Sequence, residues 1–240
     1  MDISLIPLRQ LLFAFIPVLI VAGIYYKWSL QTGEVGVALL RMVTQLLLIG
    51  YVLAWLFEQK HAWVLGLVMI VMSLASTWIA LRKIEHYTVS IFLKTMLIIT
   101  LSSAFTLMIV VLGVLALNPI EESRIVIPLA GMIFSNAMTS VGLAAERYDS
   151  NCTVGMQHLE ARNSAFNASL IPITNAMLAV GLVALPGMMT GQILSGVSPL
   201  IAVRYQIVVM CMVFGVAGLA SASFLHWVAR DLSSRHSYGP

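Results

Sequence analysis

The sequence predicts an all-α, polytopic membrane protein of about seven transmembrane helices, with its N-terminus outside and its C-terminus cytoplasmic. The 240 residues are 60% hydrophobic and only 10% charged, with a mean hydropathy of +0.97. Apolar runs of about 18 residues or more recur along the chain, the length a helix needs to cross a bilayer. The formal net charge is +3, but the basic residues lie between apolar runs, where they mark topology rather than a nucleic-acid footprint. Cys152 and Cys211 are too few for a disulfide framework. Residues 1–240 read as a single transmembrane domain.

The runs follow in order. The first covers about residues 5–26; it lacks the basic start, short core and small-residue cleavage site of a secretory signal, so it is a retained helix kinked at Pro17. The second, 35–57, follows the polar patch Gln31, Thr32, Gly33 and Glu34 and carries Arg41 and Gln45 one turn apart on one face. The third, 62–81, follows a polar loop, and the fourth, 91–117, is long enough to cross with some tilt and stops at Asn118 and Pro119. The fifth, 125–145, places Gly131, Ser135 and Thr139 at four-residue spacing, the small-residue face by which helices associate in lipid, so it should be a buried helix. The sixth, 167–185, ends at Pro186-Gly187, and the seventh is 201–228.

Numbering the sides alternately puts Arg9, Lys60, Arg124 and Arg204 on one side. Lys27, Arg82, Lys83, Lys94, Arg147, Arg162, Arg230 and Arg235 fall on the other, which is then cytoplasmic. The longest internal loop, residues 146–166, faces the cytoplasm in that arrangement.

Several function classes lack their residues. None of the four lysines follows a glycine, so there is no phosphate-cradling G-x-x-x-x-G-K-[ST] loop and no ATPase within the chain. The five histidines lie at span ends or in loops, without H-E-x-x-H, and no catalytic constellation is legible. All ten carboxylates fall outside the span cores, which leaves no mid-membrane acid to take up a driving ion. A passive channel, or a permease driven by a separate motor, is what remains.

The stretch Gly181 to Gln206, GLVALPGMMTGQILSGVSPLIAVRYQ, interrupts the apolar pattern with a Pro-Gly step, a Met-Met pair and a Ser-Pro turn. Broken backbone at membrane depth survives where protein or a water-lined path covers it, so this stretch is a candidate for moving parts or for a route. Together with RMVTQLLLIGYVL (41–53) and IPLAGMIFSNAMTSVGLA (127–144), the block from Ser169 to Met210 closely resembles the FetB-type permeases, membrane subunits of ABC systems associated with iron export in bacteria, with plant relatives linked to aluminium tolerance. The resemblance implies a metal-export permease in the inner or plasma membrane, powered by a separate cytoplasmic ATP-binding subunit of the FetA type; the permease is expected to work as a homodimer. No cofactor and no nucleic acid is implied. Residues 156–166 run almost directly into the sixth helix, short for a coupling loop of this family, and two other readings stay open: a structural or regulatory membrane subunit that moves nothing, and an autonomous channel.

Within that reading, Asn136, Asn175, Met188, Met189 and Gln192 are candidates for the transport path, and Pro186 and Gly187 for the hinge on which the sixth helix rocks. Met156, Leu159, Arg162 and Phe166 are candidates for the ATPase contact. Asn136 and Asn175 serve equally as interhelical hydrogen-bond partners, and the thioethers suit copper(I) better than iron where they are not simply packing. Arg41 with Gln45 lines a path, holds a subunit contact or snorkels; Arg204 and Tyr205, next to Gln206, are an interfacial anchor or a substrate contact.

Overall fold

The structure is a computed structural model and describes residues 7–28, 32–58, 62–84 and 87–228. The first two residues of the first expected span, Gln31, and Lys60, Arg230 and Arg235 of the orientation argument lie outside the described residues, as do His61, His86 and His236. The chain divides into two compact units, Met1–Gln59 and Lys60–Pro240.

The first unit holds α1 (Leu8–Phe13), α2 (Ile16–Lys27) and α3 (Thr32–Glu58). The expected kink at Pro17 appears as a full interruption between α1 and α2. Pro17 has no N–H and its ring collides with the carbonyl four residues back, which is that of Phe13, the last residue of α1. Ala14 and Phe15 instead donate to Leu11 and Leu12 at 3.1 Å, closing the end with tighter turns. No residue of α2 is buried, and an apolar helix exposed on every side belongs in lipid or against other protein.

The second unit contains α4 (Ala62–Leu81), α5 (Val89–Met108), α6 (Ser123–Thr153), α7 (His158–Ala179), α8 (Gly187–Leu194) and α9 (Pro199–Trp227). Thr88 caps α5, its Oγ1 accepting from the Ile91 N–H at 3.4 Å. The expected fourth span continues past Met108 as a π-helical turn, Ile109–Val114, and Ala116 closes it at φ +50°. At the centre α6 packs on α4, α5, α7 and α9. Its buried edge is Ala130, Ile133, Ala137, Val141, Ala144 and Tyr148, facing a core that includes Val216, Ala217, Ala220 and Phe224 of α9. The fifth run is thus the buried helix expected, buried most deeply along this alanine-rich edge. Ser135 and Thr139 on the opposite side are exposed, yet on that side Gly142 comes close to the Ala80 backbone of α4.

The expected loop 146–166 is helix at both ends. α6 runs to Thr153 and α7 starts at His158, leaving a four-residue turn, 154–157. Gly155 adopts φ +81°, its N–H bonds to the Cys152 carbonyl at 3.0 Å and the Met156 N–H to that of Asn151 at 3.1 Å. This is a Schellman closure, which needs a left-handed residue just past the helix and so takes glycine. Six helices among the described residues are long and apolar enough to cross a membrane, at 9–27, 35–56, 63–81, 89–114, 123–153 and 199–227. The sixth expected run is not one of them, because its helix, α7, is polar and ends early.

Candidate functional site

α7 buries a narrow edge of Ala161, Ala165, Ser169 and Ile173 at four-residue spacing against the bundle. Its opposite edge exposes Asn163, Asn167, Thr174 and Asn175, interrupted by Ile171 and Leu178. Pro172 lies inside the helix and cannot donate to the carbonyl of Ala168, so one more polar group is freed beside Asn167. A helix of this kind cannot stand with its outer face in hydrocarbon.

The helix stops at Ala179 by a type II turn. Val180 sits at φ −63°, ψ 130°, Gly181 at φ +82°, and the Leu182 N–H returns to the Ala179 carbonyl at 3.2 Å. The Val183 and Ala184 amides reach the same carbonyl at 2.9 and 3.1 Å. Pro186 then caps α8 with extended backbone, and α8 itself ends in a second Schellman turn at Gly196, φ +90°. The helix end is therefore six residues earlier than Leu185. Pro186 and Gly187 do not bend a continuous helix but begin a new one.

Two cavities lie along the α7–α9 seam. At one end a space of about 250 Å³ is lined by Arg162, Asn163 and Phe166 of α7 with Ala222, Leu225 and His226 of α9. At the other, a space of about 340 Å³ sits on the break, and among its lining are Met177 of α7, Met189 of α8, and Gln206, Met210 and Cys211 of α9. The pairings make α7 and α9 antiparallel, with α9 continuing past the end of α7 from Gln206 back to Pro199. That adds about 10 Å, which α8 packs beside. Gln206 is only 6% exposed. Its Oε1, like that of Gln192, has no hydrogen-bond partner, an uncommon situation for a buried amide.

The candidate path residues do not converge on one cavity. Asn136 donates to the Met132 carbonyl of its own helix at 2.9 Å. It lies level with Asn175 by count, seventeen residues before the end of α6 and seventeen after the start of α7. Met188 packs on the core, Met189 lines the break cavity, and Gln192 is half-buried. Of the candidate contact residues, Arg162 and Phe166 meet in the first cavity, whereas Met156 and Leu159 are exposed at the α6–α7 turn beside exposed Val154. Arg41 and Gln45 are exposed on α3, and Arg204 and Tyr205 are exposed on α9.

The sequence reading missed two residues that fix this turn. Buried Tyr148 bonds His158 Nδ1 through its hydroxyl at 2.5 Å, with the rings edge to face. The spacing of ten residues across a glycine was the only signal. Also missed were Asn163, Asn167 and the four-residue row Ala161, Ala165, Ser169, Ile173, all readable from helical periodicity had the helix been started at His158. No group of three or more His, Cys, Asp or Glu residues converges among the described residues.

Six helices long and apolar enough to cross a membrane, together with the polar, interrupted α7, define a multi-pass integral membrane protein. The chain matches the uncharacterised protein family UPF0014 over residues 8–232, and it belongs to that family. It is 32% identical over 220 residues to a UPF0014 membrane protein of Synechocystis, covering 85% of each chain. It is 31% identical over 213 residues to the probable iron export permease protein FetB of Escherichia coli, covering 82% of this chain and 80% of that one. To the protein ALUMINUM SENSITIVE 3 of Arabidopsis thaliana it is 30% identical over 233 residues, covering 89% and 84%. No solved structure matches.

Proposed function

We propose that this chain is the membrane permease subunit of an ABC-type transporter that exports a metal ion, iron in the first instance, and takes its power from a separate ATP-hydrolysing subunit. The observation that carries this is the exposed polar edge of α7, Asn163, Asn167, Thr174 and Asn175, on a helix whose opposite edge is packed into the bundle. At membrane depth such an edge requires water or a second protein surface, and a homodimer with α7 lining the space between copies supplies both. α7 and α8 together add one crossing to the six long helices, making seven, so the termini lie on opposite sides, the N-terminus outside. The likeness to the Escherichia coli iron export permease favours iron as cargo.

The α6–α7 turn then faces the cytoplasm, and its exposed Val154, Met156 and Leu159 are apolar groups standing in water beside Arg162 and Glu160. That is the composition of a docking surface for the ATPase subunit. Its movement passes along α7 to the turn at Val180–Leu185, where the chain opens outward. Co-expression with the ATPase followed by reconstitution in iron-loaded vesicles tests this: ATP-dependent loss of iron is expected. A chain that binds no ATPase and moves no iron would leave it a structural subunit, and flux without ATP would make it a channel.

A further inference from the structure

The cavity of about 340 Å³ at the α7 break has an unusual lining. Four of its nine residues carry sulfur, Met177, Met189, Met210 and Cys211, in a chain with 14 methionines and 2 cysteines among 240 residues. They come from three separate helices, so no helical repeat brings them together. The single polar side chain among them, Gln206, is 6% exposed with its Oε1 unpartnered. Met177, Val180 and Gly181 bring the last turn of α7 to the cavity, and a helix C-terminus carries partial negative charge.

We propose that this cavity binds one soft monovalent cation, copper(I) or its analogue silver(I), through the thioethers of Met177, Met189 and Met210 and the sulfur of Cys211. Thioether and thiolate are the donors such ions select, and an amide oxygen is known as a weak axial ligand at blue-copper sites. As the metal–sulfur bond forms, the Cys211 thiol releases its proton to water. One thiolate and one monovalent cation cancel, so the loaded cavity carries no net charge and avoids the penalty of an unpaired ion in apolar surroundings. A hard divalent ion would keep a positive charge there and find one oxygen side chain and no carboxylate. The site is a property of the chain by itself and stands or falls apart from the permease reading.

The test is titration of the purified chain in detergent with silver(I), against a chromophoric competitor. One ion per chain is expected, with affinity lower by at least about tenfold in Cys211→Ser and in the Met189→Leu, Met210→Leu double variant. Leucine keeps the packing volume, and unchanged thermal melts establish that each variant folds. Met188→Leu, on the core rather than the cavity, and Cys152→Ser are expected to bind as the parent does. No stoichiometric binding, undiminished binding in the cavity variants, binding lost with Cys152 instead, or displacement of silver(I) by equimolar iron(II) would each overturn the proposal.

Discussion

Ser140 of α6 and Ser221 of α9 donate to one acceptor, the carbonyl of Ala217, at 2.8 and 2.6 Å. Both serines are buried, so this is the polar rivet between the two central helices. Ser140→Ala is expected to lower stability by about 1 kcal/mol, the size of interhelical bonds in membranes. Because two donors on one acceptor weaken each other, either remaining bond strengthens when the other is removed, and the Ser140→Ala, Ser221→Ala double variant should lose more than the sum of the single losses. Unfolding in mixed detergent measures all three.

Gly142 brings α6 against the α4 backbone. A Cβ there would lie 3.3 Å from the Ala80 carbonyl oxygen and 3.5 Å from its Cα. Gly142→Leu should drive the helices apart and cost about 1–3 kcal/mol. A thermal melt reports it, and no comparable loss is expected for Gly218→Leu on α9, where nothing lies within 4 Å of the added carbon.

Ala116, closing the π-helical turn after α5, holds φ +50°. This left-handed backbone costs an L-residue about 1–2 kcal/mol and a β-branched one more. Ala116→Gly should therefore be neutral or stabilising, and Ala116→Val destabilising, in the same unfolding assay.

Met156 and Leu159 are 37% and 58% exposed at the α6–α7 turn. Met156→Asp and Leu159→Asp should leave the melt unchanged, since neither side chain is in the core, yet abolish co-purification of the ATPase subunit. Retained co-purification in both would move the docking surface elsewhere.

Most of the bundle was readable because hydropathy reports on span cores: the third run and α4 coincide at 62–81, and the seventh differs from α9 by two residues at its start. The family was readable too, from the 169–210 block. What hydropathy could not show was α7, whose first turns hold His158, Glu160, Arg162 and Asn163 and look like loop. Helix there is favoured by Leu159, Glu160, Ala161 and Arg162, all strong helix formers, and completed by the full burial of Ala161 and Ala165, neither of which hydropathy weighs. Pro186 drew attention from Gly181, yet a proline at the start of a helix is comfortable, while a left-handed glycine ends one. The coming together of Met177, Met189 and Gln206 depends on that turn, which no residue spacing reveals.

The central claim is that the exposed edge of α7 meets water at membrane depth. In a Cys152→Ser, Cys211→Ser background, Asn167→Cys and Asn175→Cys can be probed in intact membranes with a charged, water-soluble thiol reagent. Leu101→Cys and Phe105→Cys, each replacing a residue 56% exposed on the apolar face of α5, serve as lipid-facing references. Rapid modification of the two α7 positions and none of the α5 pair is the predicted result; α7 positions as inert as those on α5 would contradict it.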